Sequence, residues 1–338
     1  MPNEVLPGLY QLKVPIPNNP LGWVLPYLIP GDDGYTLVDS GWNTPEAFAA
    51  LEDELRAVNV KFEDITRLLV THVHPDHYGL AGRIKEVSGA QVIIHQRERD
   101  FIRSRYREPE QLLERMAVWL TEHGVPKDEV DELKSAAMPV RGFVVPVEPD
   151  AVLWGGETLD FGVYKFEVYW TPGHSPGHIC FYERAHRVIL TGDHVLPTIT
   201  PNVGLHPQQT GNPLGDYLAS LQRLESLEVD NVLPAHEETF KDLRGRVKEI
   251  AQHHHERLNE MLNIIGNGSR TGYEVASSVV WTIGTFDGFS PFLRRAAVGE
   301  TLAHLEYAVQ EGRLRQTRQD GVICYEQVKR GAEDGITT

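Results

Sequence analysis

The stretch Thr71-His72-Val73-His74-Pro75-Asp76-His77 decides the fold of this chain. An apolar run at 65–70 precedes it and predicts a short buried strand, and a helix is predicted to begin after it at Gly79. Three imidazoles and one carboxylate therefore lie on a short loop at the carboxyl end of a strand. Imidazole and carboxylate together suit zinc, and also iron or manganese. Because six consecutive residues cannot all face one ion, the loop can divide its ligands between two ions a few ångströms apart.

Three later segments each place a further ligand-type residue just past an apolar run. They are TPGH at 171–174, LTGD at 190–193 and LPAH at 233–236, which end at His174, Asp193 and His236. Layered α/β proteins usually build their chemistry outside the carboxyl ends of strands. These three residues therefore fit the same site as the first loop.

Together these motifs resemble the metallo-β-lactamase superfamily, in the branch that holds glyoxalase II-like and LACTB2-like hydrolases. The resemblance covers about residues 6–238, and all five family motifs occur in order, the first being the structural turn Asp39-Ser40-Gly41. It implies an α/β fold, the αββα sandwich, with the site at one edge of two packed sheets. It also implies two divalent metal ions, with His72, His74 and His174 on the first, Asp76, His77 and His236 on the second, and Asp193 as the bridge.

The chemistry that this ligand set implies is hydrolysis. Two divalent ions, Zn²⁺ in the first place with iron or manganese as alternatives, lower the pKa of a bridging water and make hydroxide available. Asp76 is the candidate catalytic residue because it can also orient the nucleophile, a role ranked below its ligand role. His74 stands where flavodiiron relatives usually carry a glutamate, which favours hydrolysis over oxygen reduction.

The order of predicted elements indicates a catalytic domain at 1–240 and a C-terminal module at 241–338. A helical insert at about 97–145 lies within the first domain, and its position allows the role of a lid over the metal pocket. Three helical segments followed by a hairpin at Asp320-Gly321 predict that the C-terminal module is winged-helix-like. A capping-box pattern at Thr271 and Glu274 predicts the start of the second of these helices.

Several polar residues near these motifs have two interpretations. His178 is expected to be a structural hydrogen bonder, whereas His194 either touches substrate or points away from the site. The three histidines at 253–255 are expected on a solvated helix face, because consecutive helical residues point in different directions. A basic run in the insert is either a solvated helix face or a clamp for a substrate carboxylate or phosphate; its members are Arg97, Arg99, Arg103, Arg105 and Arg107.

Charge indicates which classes of binding partner are disfavoured, and cysteine content bears on the cellular location. The 338 residues carry a formal net charge of −16, and residues 241–338 hold 13 basic and 13 acidic side chains, so the whole excess lies in residues 1–240. Such a surface repels nucleic acid and anionic membranes. The two cysteines, Cys180 and Cys324, cannot form a disulfide framework, which fits a cytoplasmic protein without a signal peptide. The sequence leaves the formation of a homodimer open, because modules like the C-terminal one also form dimer interfaces.

The leading functional hypothesis is a metal-dependent hydrolase for a small acyl substrate, a thioester or a lactone. A LACTB2-like endoribonuclease acting on single-stranded RNA is the alternative suggested by the winged-helix-like module, although its neutral charge weakens that hypothesis. A sulfur dioxygenase with one iron is a further alternative, because ligand types alone do not define the metal. A catalytically inactive binding protein on the same fold is disfavoured, since all seven metal ligands implied by the resemblance are present.

Overall fold

The computed structural model of the chain describes residues 2–328. These residues form two compact units, and each unit draws on several stretches of chain. The first unit comprises residues up to Leu112 together with Ala137–Asn202 and Asp216–Ala251; the second comprises Leu113–Ala136, Val203–Gly215 and the chain from Gln252.

Two β-sheets form the centre of the first unit. The seven-stranded sheet contains, in spatial order, Asn3–Leu6, Leu9–Gln11, Tyr27–Gly31, Gly34–Val38, Ile65–Leu69, Gln91–His95 and Ala151–Leu153. The five-stranded sheet contains Thr158–Asp160, Lys165–Trp170, Ile179–Glu183, Val188–Gly192 and Asn231–Pro234. A short two-stranded ribbon pairs Val14–Pro15 with Trp23–Val24.

The two sheets pack face to face through alternating apolar side chains. Val38 and Leu69 of the first sheet and Phe166, Phe181 and Leu190 of the second belong to one buried cluster. Burial of such a side chain stabilises the fold by about 1.5–3 kcal/mol. The residues that follow these strands therefore lie on a rigid scaffold.

Helices cover the outer faces and complete the predicted αββα sandwich. The helices of the first unit are Pro45–Ala57, Pro75–Tyr78, Ala81–Ser88 and Gln96–Ile102, followed by the π-helical turn Arg103–Arg107. The helix Pro45–Ala57 begins with a proline in its first turn and with the Thr44 hydroxyl accepting from the amide of Ala47. Its apolar face, including Leu51 and Leu55, packs on the outer side of the seven-stranded sheet. The fold class predicted from the sequence is therefore confirmed.

Three helices contribute residues to both units. They are Pro109–Glu122, Pro213–Glu225 and Leu243–Ile265. Part of the predicted insert, Leu113–Ala136, thus clusters with C-terminal residues rather than with the sheets. The domain boundary between residues 240 and 241 stays a prediction.

The second unit combines helices with a three-stranded sheet. Its sheet has the order Ser269–Thr271, Val322–Gln327, Leu314–Gln319, and its own helices are Lys127–Ser135, Gly272–Ser278 and Pro291–Gln310. The predicted capping box is confirmed, because Thr271 and Glu274 exchange side-chain to backbone hydrogen bonds. The winged-helix-like assignment stays a prediction. Within residues 2–328, no helix is both long and apolar enough to cross a membrane.

The second unit corrects the expectation for the histidines at 253–255. His255 is exposed, but His254 is buried and its ring nitrogen Nδ1 lies 3.1 Å from Nε2 of His304. The Nδ1 of His304 donates to the carbonyl of Glu300 at 2.8 Å. The middle histidine therefore faces the helix Pro291–Gln310, which the spacing along its own helix could not show.

Candidate metal centre

A buried aspartate holds the loop that carries most of the predicted ligands. The carboxylate of Asp39 accepts from the amide of Thr71 at 2.8 Å, from the Thr71 hydroxyl at 2.9 Å and from Nδ1 of His77 at 2.8 Å. Asp39 has a positive φ of 62° at the end of its strand, a conformation that aspartate tolerates better than most residues. The turn at Asp39 therefore sets both the position and the tautomer of His77.

Three imidazoles converge to form the first ligand group. The Nε2 of His72 lies 2.8 Å from Nδ1 of His74, and the Nε2 of His174 lies 3.2 Å and 3.1 Å from these two atoms. His174 comes from a loop one hundred residues further along the chain, after the strand Lys165–Trp170. The structure thus brings together the three residues that the resemblance assigns to one ion.

The second group adjoins the first and contains Asp76, His77 and His236. The Nε2 of His236 lies 3.4 Å from Oδ2 of Asp76, and the Nε2 of His77 lies 3.8 Å from Oδ1 of Asp76. Asp76 is the more accessible member, with 14% of its side chain exposed, whereas both histidines are buried. The oxygen atoms of Asp76 therefore lie where the group meets solvent.

Asp193 lies between the two groups. Its Oδ2 is 3.6 Å from Nε2 of His174 and 3.3 Å from Nε2 of His77, and its Oδ1 is 3.3 Å from Nε2 of His236. Nε2 of His72 is 4.0 Å from the same Oδ2. One carboxylate thus approaches histidines of both groups, which is the position that a bridging ligand requires.

The hydrogen bonds on the outer side of the rings show that this donor set fits metal ions. The Nδ1 atoms of His77, His174 and His236 donate to Asp39, to the carbonyl of Asn202 and to the carbonyl of Trp23, each at 2.8 Å. In the neutral tautomer each inward Nε2 then carries a lone pair. Nε2 of His77, Nε2 of His236 and Oδ1 of Asp193 are buried and lack a hydrogen-bond partner within residues 2–328. Acceptors that face acceptors in this way are stabilised by cations between them.

Residues 24–236 match the family described as the Metallo-beta-lactamase superfamily, a match that spans more than half of the chain. The chain belongs to this superfamily. It is similar to the metallo-beta-lactamase family protein TTHA1429 from Thermus thermophilus, whose crystal structure superposes with a TM-score of 0.82 at 36% identity, over 96% of this chain and 100% of that chain.

Two curated relatives of the chain carry names that mention hydrolysis. The probable metallo-hydrolase YqjP of Bacillus subtilis is 26% identical over 94% of this chain and 98% of its own length. The acyl-coenzyme A thioesterase MBLAC2 of Gallus gallus is 29% identical over 51% of this chain and 56% of its own length. Members of the metallo-beta-lactamase superfamily are metal-dependent hydrolases, whereas the narrower glyoxalase II-like and LACTB2-like branch stays a prediction.

Electrostatics distinguish the two groups of this superfamily site. Burial lowers the pKa of His72 and His74 well below the ordinary value, and the neighbouring histidines lower it further. Burial opposes charging of His77 and His236 as well, but the carboxylates around them prevail and raise the pKa, in His236 to about 10. The same contacts hold the pKa of Asp193 well below its usual range, against the effect of burial. Protons therefore compete with metal mainly in the second group.

Glu98 is a residue of the site that the sequence reasoning missed. Its side chain is fully buried, and its carboxylate accepts from the amide of Val73 at 2.9 Å, the hydroxyl of Ser175 at 2.5 Å and the amide of Gly177 at 2.7 Å. It thereby joins the loop of His72 and His74 to the loop of His174. A usable signal was present, because Glu98 closely follows the strand Gln91–His95 at the same sheet edge as the ligands.

The other two histidines near the motifs, His178 and His194, are buried and belong to neither ligand group. The Nδ1 of His178 lies 2.8 Å from the Thr171 hydroxyl, and its Nε2 accepts from the amide of Asp193 at 3.2 Å. His178 thus acts as the hydrogen bonder that the sequence predicted. His194 is fully buried, with its ring 4.7 Å from that of Tyr217 and 5.6 Å from that of His178, so it is closed off from solvent. The structure therefore does not support the interpretation that His194 contacts substrate.

Proposed function

We propose that this chain is a dinuclear, zinc-type hydrolase that cleaves a small acyl substrate, a thioester or a lactone. The observation that carries the proposal is the position of Asp193, whose carboxylate approaches Nε2 atoms of both ligand groups at 3.3–3.6 Å. The proposed ligands are His72, His74 and His174 for one ion and Asp76, His77 and His236 for the other, with Asp193 shared. When bound, two such ions supply a hydroxide at neutral pH and polarise the substrate carbonyl.

The protein's own residues hold this chemistry in place. Asp39 and Glu98 are buried carboxylates that fasten the ligand loops by hydrogen bonds to backbone and hydroxyl groups. Asp76 has 14% of its side chain exposed, so besides serving as a ligand its carboxylate can accept a hydrogen bond from an attacking water and orient it. The histidines of the first group already converge, with nitrogen atoms 2.8–3.2 Å apart, which lowers the cost of forming the active site.

Support for an acyl substrate comes from the chemistry of the site and from a relative. His74 is a third neutral ligand, which suits a redox-inactive ion and carbonyl hydrolysis. The similarity to a named acyl-coenzyme A thioesterase covers about half of this chain. A thioester is therefore the first substrate class to test, and a lactone is the second.

The test combines metal analysis with three substrates on the purified full-length chain. We expect about two zinc ions per chain, hydrolysis of an acyl thioester or a lactone, and no cleavage of single-stranded RNA. Asp193→Ala should lose bound metal and activity together, whereas the exposed His255→Ala should keep both. Cleavage of RNA that His72→Ala abolishes, without thioester or lactone hydrolysis, would overturn the proposal in favour of a ribonuclease.

The remaining expectations about partners and location stay predictions from the sequence. They are a disfavoured but open nucleic-acid partner, the absence of a membrane partner, an open homodimer and the cytoplasmic location. The acidic charge of residues 1–240 supports the first of these, because it repels polyanions.

A further inference from the structure

The arginines of the basic run differ in what they contact. Nε of Arg103 lies 2.8 Å from Glu108, and Nη1 of Arg107 lies 2.8 Å from Glu148. The guanidinium of Arg97 lies 5.0 Å from the centroid of the Trp170 ring. These three side chains are engaged with neighbours at the surface. The interpretation of the run as one clamp of five arginines is therefore too broad.

Arg105 lies in the π-helical turn Arg103–Arg107 and takes a different direction. Its half-buried side chain places the guanidinium carbon 4.9 Å from the centroid of the Phe101 ring and beside the hydroxyl of Tyr106. That hydroxyl donates to the carbonyl of Val73 at 2.7 Å, between the ligands His72 and His74. A π-helical turn is often found at functional sites, because the extra residue redirects a side chain. One hydroxyl thus separates Arg105 from the ligand loop.

The charges around Arg105 leave it incompletely balanced. Within residues 2–328, no carboxylate oxygen lies within 4.0 Å of its guanidinium. The positive charge of Arg105 acts on the buried carboxylate of Glu98, but that carboxylate already accepts from Val73, Ser175 and Gly177. The guanidinium also repels a protonated His74. A fixed cation next to a site for two divalent ions raises the electrostatic energy of the site unless an anion lies between them.

We propose that Arg105 forms an anion-binding subsite of the active site and receives a carboxylate or phosphate group of the acyl substrate. The guanidinium has five N–H donors in a planar fork, which matches both anions. The anion belongs either to the acyl part, as a carboxylate, or to the thiol part, as a phosphate. This inference rests on the proposed function, since it specifies the substrate class of the same site.

The competing explanation is that Arg105 only balances the buried charge of Glu98. The two explanations differ in their dependence on the substrate. A subsite residue affects anionic substrates selectively, because its hydrogen bonds form only with them. A residue that balances Glu98 affects the positions of the ligand loops and hence every substrate alike.

The experiment compares three thioesters on the zinc-loaded, full-length protein. S-acetyl-N-acetylcysteamine is neutral, S-succinyl-N-acetylcysteamine carries a carboxylate on the acyl part, and acetyl-coenzyme A carries phosphates on the thiol part. In Arg105→Gln, we expect kcat/KM for one anionic substrate, relative to the neutral one, to fall about 10- to 100-fold, mainly through KM. Arg99→Gln, an exposed arginine on the same run, is the matched control and should keep the wild-type ratios.

Each outcome supports or overturns the anion-binding subsite at Arg105. A selective loss with the succinyl substrate assigns the anion to the acyl part, and a selective loss with acetyl-coenzyme A assigns it to the thiol part. An equal loss with all three substrates overturns the subsite and supports the balance of Glu98. If the wild type hydrolyses none of them, the thioester part of the proposed function fails and the lactone part stands. Calorimetric titration with succinate and inorganic phosphate then decides on Arg105. Equal affinity of the wild type and Arg105→Gln for both anions would overturn the subsite.

Discussion

Replacing Glu98 tests whether one buried carboxylate joins the two halves of the first ligand group. In Glu98→Ala, the buried amides of Val73 and Gly177 lose their acceptor, at a cost of about 1–3 kcal/mol each. The truncation also leaves a cavity. Recovery of the desolvation energy of the buried charge offsets part of this. We therefore expect the free energy of unfolding to fall by about 2–5 kcal/mol.

Glu98→Gln is the sharper variant, because it keeps the shape of the side chain. Its amide has one oxygen, so it can serve either Val73 or the pair Ser175 and Gly177, and its NH₂ group meets donors on the other side. We expect a loss of about 1–3 kcal/mol in unfolding free energy. Since both fastened loops carry ligands of the first group, zinc affinity should also fall about 10- to 100-fold.

The assays are urea unfolding and zinc competition against a chromophoric chelator. Glu183→Gln is the matched control, because Glu183 is also a buried carboxylate that accepts from a backbone amide, that of His186, but it lies away from the ligands. It should lose stability without losing zinc affinity. If Glu98→Gln binds zinc as tightly as the wild type while its stability falls, Glu98 stabilises the fold without positioning ligands, and the reasoning is refuted.

Three further predictions concern backbone space, acid stability and the metal. Gly173→Ala should unfold at a lower urea concentration and bind less zinc, because a Cβ at its φ of 132° would collide with Tyr217. Gly156→Ala is the control, because Gly156 also has a positive φ but lies beside open space. It should show only the effect of backbone strain. Burial lowers the pKa of His304 to about 4, below the unfolded value of about 6.5, so the unfolded chain binds more protons and stability should fall as the pH decreases from about 6.5 towards 4. Urea midpoints at about pH 7.5 and about pH 5.5 should differ less in His304→Leu than in the wild type or the exposed control His255→Gln, and an equal difference would contradict the role of burial. A strong chelator should abolish thioester hydrolysis and added Zn²⁺ should restore it, so hydrolysis that persists in metal-depleted protein would exclude metal chemistry.

The local pattern of the sequence was sufficient for the scaffold and for the approximate position of each ligand. Apolar runs of strand length end just before His72, His174, Asp193 and His236, and the strand ends are observed there. The helix Gly272–Ser278 begins where the capping-box pattern of Thr271 and Glu274 predicts. Such features depend on neighbours within a few residues, so periodicity and turn chemistry reveal them.

The same reasoning could not predict contacts between segments that are distant in the sequence. The sequence by itself determined which residues end the strands, because each strand carries its own pattern of burial and its own turn. Only the tertiary structure decided that Glu98 joins residues 73 and 177, that the Tyr106 hydroxyl donates to the ligand loop at Val73, and that His254 is buried against His304. A polar side chain on a helix shows no local sign of its partner. Its burial depends on which surface packs against it, and that surface is supplied by chain tens of residues away.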